Sequence, residues 1–406
     1  MIKKIQVSQI KNGMYIHDFN CGWLNHPFLT NSMLVDSDEI IKKVVDYGIR
    51  ELYIDTNKGY DVADAPTEVE VKQQIEAEIT KVVEQEKRHV YAPVPIHEEI
   101  AKAKEIRQEA KKTVQNIMDD IKFGKQIETE KVGRVVDDMI ESIFRNQDAL
   151  ISLGRIKEKD EYTYMHSVSV CVLMLSFGKH LGFDLQILRE IGAGAMLHDI
   201  GKMIVPQAVL NKEEGLTEEE LKLMKKHVEY SRTLLEQTQG MTENAIVIAS
   251  QHHERVDGTG YPLGLKGDDI SYYSKAVAIV DVYDAMTSKR CYQDQYLPTE
   301  VLRKLYEWSS HHYDRDLVQQ FIRCVGIYPV GTLVRMESGR IGVIIKHGEK
   351  NLLQPVVRVV YNMKSGDFLR IPYDVDLSST SGKNGEDRIA GYESPKRFNI
   401  RPEVYL

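Results

Sequence analysis

The alternation of apolar and polar residues changes along the chain, and its first section predicts strands around one helix. Short β-like runs occur at Met14–His17 and Glu51–Ile54, and a helical pattern lies between them at Asp38–Tyr47. We therefore expect residues 1–62 to form a small α+β unit.

Two helices are predicted between residues 66 and 122. In the first, Ile75, Ile79 and Val82 recur at helical spacing. Two close prolines within residues 91–95 then interrupt the helical pattern, because proline removes a backbone donor and favours extended backbone. The sequence therefore separates the two helices at this point.

The second of these helices, from about Glu98, has one apolar face made of residues at alternating intervals of three and four. The face consists of Ala103, Ile106, Ala110, Val114, Ile117 and Ile121. We interpret it as a surface that packs against the neighbouring domain, because the stripe is short and contains small alanines. The alternative is a partner helix in a homodimer.

A long section from Thr129 to Pro329 has the helical period in nearly every segment. Within it, Thr217 and Glu220 fit a capping box before the helix that carries His227. This section predicts an all-helical domain.

The pattern changes again beyond Pro329, where three strands are predicted. They are Thr332–Met336, Arg340–Ile345 and Val356–Tyr361. These strands form a small β extension that covers or supports the helical domain, and we expect the polar stretch from Ser378 to about Gly391 to be mobile. The predicted fold class is mainly α, with a regulatory region at 1–128, an all-helical domain at 129–328 and the β extension at 329–406.

Composition and charge narrow the class of protein. At 406 residues the chain is long enough for two or three domains, and 42% hydrophobic with 28% charged residues is typical of a globular protein. The longest apolar run, near Val168–Phe177, is too short to cross a bilayer, so we expect no integral membrane segment. A net charge of −8 disfavours binding to nucleic acid polymers and to anionic membranes.

Two further observations indicate the compartment. The amino terminus has no extended apolar region behind its lysines, so it does not resemble a secretory signal. The four cysteines form no Cys-x-x-Cys pair, which is typical of reduced structural thiols. They are Cys21, Cys171, Cys291 and Cys324. We therefore expect a cytoplasmic protein.

The candidate chemistry lies in the helical section, where five histidines and two aspartates offer donors for two metal ions. Counting donors gives each ion four protein ligands: His166, His198, Asp199 and Asp281 for one, and His227, His252, His253 and a second oxygen of Asp199 for the other. A shared hydroxide and one exchangeable position complete six-coordination. Imidazole and carboxylate donors without thiolate suit iron or manganese better than structural zinc.

Each of these residues also has an ordinary interpretation. A lone His-Asp pair is usually a surface or capping pair, and a lone buried histidine more often satisfies a local hydrogen bond than binds a metal. Here some of the histidines adjoin apolar helical stretches such as Ile246–Ala249, where uncompensated imidazoles would be costly. The combination therefore favours metal binding.

Three sequence motifs in this section belong together. They are His198–Lys202 (HDIGK), His252–Pro262 (HHERVDGTGYP) and Asp281–Arg290 (DVYDAMTSKR). Together they resemble the HD-GYP domain family over roughly residues 140 to 330, and a match in several parts is more specific than any single short motif. The opening region, through Cys21–Phe28, resembles an N-terminal domain of undefined function that often precedes HD-GYP domains.

The resemblance implies an HD-superfamily fold and hydrolysis of cyclic dinucleotides, chiefly cyclic di-GMP, to linear pGpG and in some members on to GMP. By the family pattern the seven donors above are the metal ligands, and Asp199 bridges the two ions as a catalytic residue. Lys202 and Arg290 are carried over as phosphate contacts, and Lys202 also counts as catalytic. Asp284, three residues after Asp281, is a candidate to orient a histidine ligand.

The loop after the double histidine supplies two further candidate substrate contacts, Gly260 and Tyr261. Tyr261 either caps the pocket or only packs, and the two interpretations are equally supported. Gly258 and Gly260 indicate a tight loop more than a phosphate cradle, because no strand-to-helix phosphate motif surrounds them.

The chain departs from the family pattern at two positions. Members with three metals have a glutamate where this chain has Tyr162, which predicts a two-metal site. Some members have a lysine where this chain has Gln293, which weakens one substrate contact and leaves the choice of cyclic dinucleotide open.

Hydrolysis of cyclic di-GMP is the leading hypothesis, with the N-terminal region tuning or localising the activity through a signalling partner. The alternatives are hydrolysis of mixed 3′,3′-cyclic GMP-AMP, phosphohydrolysis of an ordinary nucleotide, and a receptor that binds a cyclic dinucleotide with little turnover. The double histidine and the Gly-Tyr-Pro loop favour a cyclic substrate, and the complete ligand set favours catalysis.

Overall fold

Helices form most of the described chain, and strands are confined to its two ends, which confirms the predicted mainly α fold class. The computed structural model describes residues 1–21, 26, 28, 30–84, 94–154, 162–212, 215–288, 296–348, 353–378 and 387–406.

The first part of the chain is a small antiparallel sheet packed on one helix. Its elements are β1 (Ile2–Gln6), β2 (Tyr15–Asp18), β3 (Met33–Leu34), α1 (Asp38–Asp46) and β4 (Glu51–Asp55), and the sheet order is β1-β4-β2-β3. Ile5, Ile16 and Leu52 face the helix and are at most 2% exposed, beside buried Val44 of α1. The expected α+β unit is therefore present, although β1 and β3 were not predicted.

The two predicted helices follow as α2 (Glu68–Glu84) and α3 (Ile96–Lys122), and α4 (Thr129–Gly154) comes next. The apolar stripe of α3 is buried, and its neighbour in the core is α4 of the same chain. Buried Glu99 joins the two helices, accepting hydrogen bonds from Arg145 Nε at 2.8 Å and from Ser142 Oγ at 2.7 Å. The stripe thus packs inside the chain, as the first interpretation predicted.

A bundle of helices continues from α4 and builds the largest core. Its members are α5 (Tyr162–His180), α6 (Leu185–Leu197), α7 (Gln207–Leu210), α8 (Glu218–Lys225), α9 (His227–Glu236), α10 (Glu243–Gln251), α11 (Tyr272–Thr287), α12 (Pro298–Trp308) and α13 (Arg315–Val325). The apolar run Val168–Phe177 lies in α5, which is buried along nearly its whole length. Helix α5 therefore runs through the middle of this core rather than along its surface. Within the described ranges, no helix combines the length and the apolar character needed to cross a membrane.

The capping box at Thr217 is present, but it does not start the helix that carries His227. Thr217 Oγ1 accepts from Glu220 N at 3.3 Å, and Glu220 Oε2 accepts from Thr217 N at 2.8 Å. That helix is α8, and it ends in a tight turn in which Lys226 N donates to Leu223 O. His227 is instead the first residue of α9, so the prediction of one continuous helix was wrong.

The C-terminal part is a five-stranded antiparallel sheet with the order β8-β7-β6-β5-β9. Its elements are β5 (Leu333–Met336), β6 (Arg340–Lys346), β7 (Val356–Asn362), β8 (Asp367–Asp376), β9 (Ile389–Tyr392) and a short helix α14 (Pro395–Phe398). The three predicted strands are β5, β6 and β7. The expectation of a mobile stretch up to Gly391 was wrong for its last residues, because β9 pairs with β5, and residues 379–386 lie outside the described ranges. The exact domain limits stay a prediction.

Candidate metal centre

Five helices bring the predicted donors to one point inside the bundle. His198 follows the last residue of α6, His227 begins α9, and His252 follows the last residue of α10. His166 lies in α5, and Asp281 lies in α11. Three of the donor histidines thus lie at helix ends, where separate helices converge on the cluster.

The orientation of four imidazole rings is fixed by hydrogen bonds at Nδ1. Nδ1 lies 2.7 Å from Ala195 O in His198, 2.7 Å from Met224 O in His227 and 2.9 Å from Ala249 O in His252. A carbonyl oxygen only accepts, so each Nδ1 carries the proton and each Nε2 keeps a lone pair. His166 Nδ1 makes the equivalent contact with Asp284 Oδ2, at 2.7 Å.

The Asp199 carboxylate lies between two groups of these lone pairs. Its Oδ2 is 3.3 Å from His198 Nε2 and 3.6 Å from His166 Nε2. Its Oδ1 is 3.3 Å from His227 Nε2 and 3.8 Å from His252 Nε2. Each oxygen therefore faces a different set of histidines, so both sets share this one carboxylate.

Several of the atoms that face each other here have no ordinary hydrogen-bond partner in the described part of the chain. They are His198 Nε2, His227 Nε2, His252 Nε2 and Asp199 Oδ1, and all four are buried. Leaving several buried polar atoms unpaired is costly, and a cation among them would satisfy all of them together. Two groups of donor atoms have metal-binding spacing: Asp199 with His227, His252 and His253, and Asp199 with His166 and His198. The residues present thus fit bound metal.

Asp281 lies at the edge of the first group. Its Oδ1 is 2.9 Å from His166 Nε2 and 3.8 Å from His198 Nε2, and its Oδ2 is 3.9 Å from His253 Nδ1. All seven predicted ligands are therefore brought together. Asp284 is one turn further along α11, at the back of the His166 ring.

Burial and charge set the protonation of the cluster. Burial lowers the pKa of His252 to about 3 and lowers the pKa of His253 well below its ordinary value. Both rings are therefore neutral at neutral pH, which is the form that ligates a metal. Burial alone would raise the pKa of Asp199, but the nearby Lys202 ammonium holds it well below the usual range.

Two of the four predicted substrate contacts adjoin this cluster directly. The Lys202 ammonium forms an ion pair with Asp199 Oδ2, and only 21% of its side chain is exposed. The Tyr261 ring stacks on His253 with centroids 4.7 Å apart, and its buried hydroxyl has no hydrogen-bond partner within the described part of the chain. Gly260 precedes it, with its α-carbon against the backbone of Glu254 and Arg255. Arg290 and Gln293 lie outside the described residues, as does Cys291.

Sequence reasoning missed one cation near the cluster. Lys225 Nζ lies 4.9 Å from the centroid of the Tyr261 ring and 5.9 Å from that of Tyr47. Its position two residues before His227 is a signal that could have drawn attention to it. Tyr47 could not have been found in this way, because it comes from the N-terminal unit, far away in sequence.

This helical domain gathers five histidines and two aspartates into one buried cluster, with Asp199 between them. Such a site defines a metal-dependent protein of the HD-domain class. The family model described as "HD domain" matches residues 140–317, and the model described as "Domain of unknown function (DUF3391)" matches residues 2–132.

Curated relatives narrow the class to one family. "Cyclic di-GMP phosphodiesterase PA4108" of Pseudomonas aeruginosa is 36% identical over 402 residues, which are 99% of this chain and 94% of the relative. "Cyclic di-GMP phosphodiesterase response regulator RpfG" of Xanthomonas campestris is 33% identical over 47% of this chain and 51% of its own length. "3'3'-cGAMP-specific phosphodiesterase 1" of Vibrio cholerae is 31% identical over 43% of this chain and 41% of its own length. The chain belongs to the HD-GYP domain family of cyclic dinucleotide phosphodiesterases.

Proposed function

We propose that this protein hydrolyses cyclic di-GMP to linear pGpG. The observation that carries the proposal is the pair of donor groups that share Asp199, because a carboxylate with one oxygen toward each group can hold two divalent ions side by side. The choice of cyclic di-GMP is supported by the relative that matches nearly the whole chain, whereas two cGAMP-specific relatives match 43% and 30% of it.

We infer a centre of two ions, with iron or manganese as the metal. His166, His198, Asp199 and Asp281 would hold the first ion, and His227, His252, His253 and Asp199 would hold the second. When bound, such a pair lowers the pKa of a water molecule between the ions and so provides hydroxide at neutral pH. The count of two also rests on Tyr162, at the position where members with three metals have a glutamate.

The reaction would be an in-line displacement at one phosphodiester. The water oxygen forms a bond to phosphorus while the bond from phosphorus to the ribose 3′ oxygen breaks, and a proton goes to that oxygen. Lys202, beside Asp199, would offset the charge on the non-bridging phosphate oxygens as it develops. Arg290 is the second expected phosphate contact.

The wall of the site would position the rest of the substrate. Tyr261, with Gly260 before it, stacks beside His253, and its buried hydroxyl is available to a polar group of the nucleotide. Asp284 would hold the His166 ring with Nε2 toward the metal, and a carboxylate in this role also makes the ring a stronger ligand.

Other parts of the function follow from the same proposal as expectations. The N-terminal region would tune or localise the activity through a signalling partner, and the protein would work in the cytoplasm. A homodimer and further hydrolysis to GMP stay predictions from the sequence. Turnover of mixed cyclic GMP-AMP and binding without turnover are the competing functions.

A single assay separates these functions. Protein purified without oxygen is analysed for bound metal and incubated separately with cyclic di-GMP, mixed 3′,3′-cyclic GMP-AMP and GTP, and the products are resolved by chromatography. We expect pGpG from cyclic di-GMP, at a higher kcat/KM than any product from the mixed dinucleotide. Binding of cyclic di-GMP to metal-loaded protein without linear product would support a receptor and contradict the proposal.

A further inference from the structure

The loop that carries Tyr261 is held together from within by Glu254 and is tied to the double histidine at Tyr261. We define the Gly-Tyr-Pro loop as residues 254–266. At its base, the buried Glu254 carboxylate accepts hydrogen bonds from Leu263 N at 2.7 Å and Leu265 N at 3.0 Å. Tyr261 N also donates to His253 O at 3.1 Å. The two Glu254 bonds close the loop on itself, and the Tyr261 bond ties it to the double histidine.

Asp257, in the same loop, makes contacts both inside and outside the loop. Asp257 Oδ1 accepts from Thr259 N at 3.0 Å and from Thr259 Oγ1 at 2.7 Å. Its Oδ2 lies 3.4 Å from His312 Nδ1 and 3.4 Å from Arg50 Nε. Asp257 therefore connects the loop both to the turn between α12 and α13 and to the N-terminal unit.

Arg50 is the charged partner of this carboxylate. Asp257 is 5% exposed at its side chain, so its charge needs a nearby cation. Burial lowers the pKa of His312 to about 3, which leaves that ring neutral at neutral pH. Among the described residues, Arg50 is then the cation in contact with Asp257.

The backbone around Arg50 also lies directly on the loop. We define the α1–β4 corner as residues 47–50, between the end of α1 and the start of β4. Gly48 has φ +71°, and a Cβ at this position would come within 2.5 Å of Thr259 Cγ2. Only glycine allows both the backbone conformation and this approach. Beside it, Tyr47 lies near Lys225, which in turn faces the Tyr261 ring.

We propose that the N-terminal unit forms the outer support of the active site, with Arg50 as a positioning residue that fixes the Gly-Tyr-Pro loop through Asp257. Arg50 touches neither metal ligands nor Tyr261, so it acts on substrate binding only through the loop. A partner that moved the N-terminal unit would release this support and weaken substrate binding. The kinetic consequence rests on the proposed function, whereas the positioning of the loop does not.

The positioning is tested without substrate, by amide hydrogen exchange of the full-length, metal-loaded protein. In Arg50→Ala we expect exchange in peptides covering residues 257–264 to become at least about 5-fold faster, with metal content unchanged. Arg50→Lys keeps the charge and should restore most of the protection. The matched control is Lys43→Ala, which breaks an exposed ion pair from α1 to Glu218 without touching the loop.

The predicted effect of Arg50 on substrate binding is tested by steady-state kinetics of the same variants with cyclic di-GMP. Arg50→Ala should raise KM about 5-fold while kcat changes less than about 2-fold, because the loop carries a binding contact rather than the reacting groups. Wild-type exchange in the loop of Arg50→Ala, or an equal effect of Lys43→Ala, would overturn the proposal. If the protein does not cleave cyclic di-GMP at all, the exchange result still decides whether Arg50 positions the loop.

Discussion

At the scale of single residues, the centre depends on which nitrogen of each histidine faces it. A backbone carbonyl holds Nδ1 of His198, His227 and His252, and the Asp284 carboxylate does the same for His166. The rings are thereby oriented before any ligand arrives, so little rotamer freedom is lost on binding.

The role of Asp199 gives the first prediction. In Asp199→Ala we expect the loss of at least one ion per protein and a fall in kcat of about 10³-fold or more, because the removed carboxylate is the donor that both groups share. Metal analysis and the cyclic di-GMP assay measure the two effects. Asp137→Ala is the control, since the Asp137 side chain is half-exposed and pairs with Arg189 at the surface, away from the donors. Full activity with normal metal content would reject the bridging role.

Single residues also show what the sequence could predict. The seven donors could be named because histidine and aspartate are rare at such density within one helical section, and their spacing matched family motifs. The positions of Arg50 and Lys225 beside the loop could not be predicted, because a lysine or arginine outside those motifs is usually an ordinary surface charge. Only the fold brings them to the Gly-Tyr-Pro loop.

At the scale of elements, the centre requires the turn after Asp199 and the first turn of α9 to lie in contact. Gly201 is buried there, and its N–H donates to Ser231 Oγ at 2.9 Å. A Cβ on Gly201 would come within 2.1 Å of His227 O and 2.5 Å of Ser231 N. Both atoms belong to the backbone of α9, so no change of side-chain rotamer relieves these contacts.

The second prediction follows from this contact. Gly201→Ala should lower the free energy of unfolding by about 1–3 kcal/mol and reduce metal content, because α9 must move and carries His227 with it. Gly133→Ala is the matched control, since a Cβ there meets nothing within 4 Å just past the first turn of α4 and alanine favours a helix by about 0.5–1 kcal/mol. Urea denaturation and metal analysis compare the two. Equal free energies of unfolding for Gly201→Ala and Gly133→Ala would show that Gly201 is not in tight contact with α9.

The turn between α12 and α13 gives a prediction about pH. Burial lowers the pKa of His312 to about 3, against 6.5 for the ordinary ring. Below pH 6.5 the unfolded chain therefore binds a proton that the folded protein does not, so stability falls as the pH decreases from 6.5 toward 3. Between pH 7 and pH 5 this one group should remove roughly 2 kcal/mol from the free energy of unfolding.

His312→Gln tests this pH dependence by urea denaturation at a series of pH values. Its unfolding free energy should decrease less between pH 7 and pH 5 than that of the wild type, even if it is lower at pH 7. His97→Gln, at an exposed site, should keep the wild-type acid dependence. Parallel profiles for His312→Gln and the wild type would contradict a neutral buried ring.

Element boundaries show where the sequence stopped being informative. The helical period could not reveal the break at Lys226, since a one-residue turn leaves the spacing of apolar residues almost unchanged. Strand β9 was taken for part of a polar tail because its pairing with β5 depends on residues some 55 positions away. The local sequence pattern of β9 does not indicate a partner strand that is so far away in the chain.

At the scale of the whole molecule, the N-terminal unit and the helical domain share a buried polar interface. Glu307, at the end of α12, accepts from Tyr53 OH at 2.9 Å and Asn20 Nδ2 at 3.0 Å, and it pairs with Lys4 at 2.8 Å. Trp308 Nε1 donates to Asn20 Oδ1 at 3.0 Å. The sequence predicted both units but could not predict how they dock, because the partners lie more than 250 positions apart.

The last prediction concerns this interface. Glu307→Gln keeps the size of the side chain but removes the charge, so Lys4 retains Glu51 alone as its acid partner among the described residues. We expect a loss of about 1.5–3 kcal/mol in the free energy of unfolding, because the hydrogen bonds involved are to a buried charged group. Glu105→Gln, on the exposed face of α3, is the control and should change stability by less than about 0.5 kcal/mol.

The same variant tests whether the interface supports the active site. If docking of the N-terminal unit holds the Gly-Tyr-Pro loop, Glu307→Gln should also speed amide exchange in residues 257–264, although Glu307 itself lies on α12 rather than in the loop. Stability lost without any change in that loop would mean that the interface serves folding alone. Both changes together would make the position of the N-terminal unit a control on substrate binding, which is how a domain without catalytic residues can regulate the reaction.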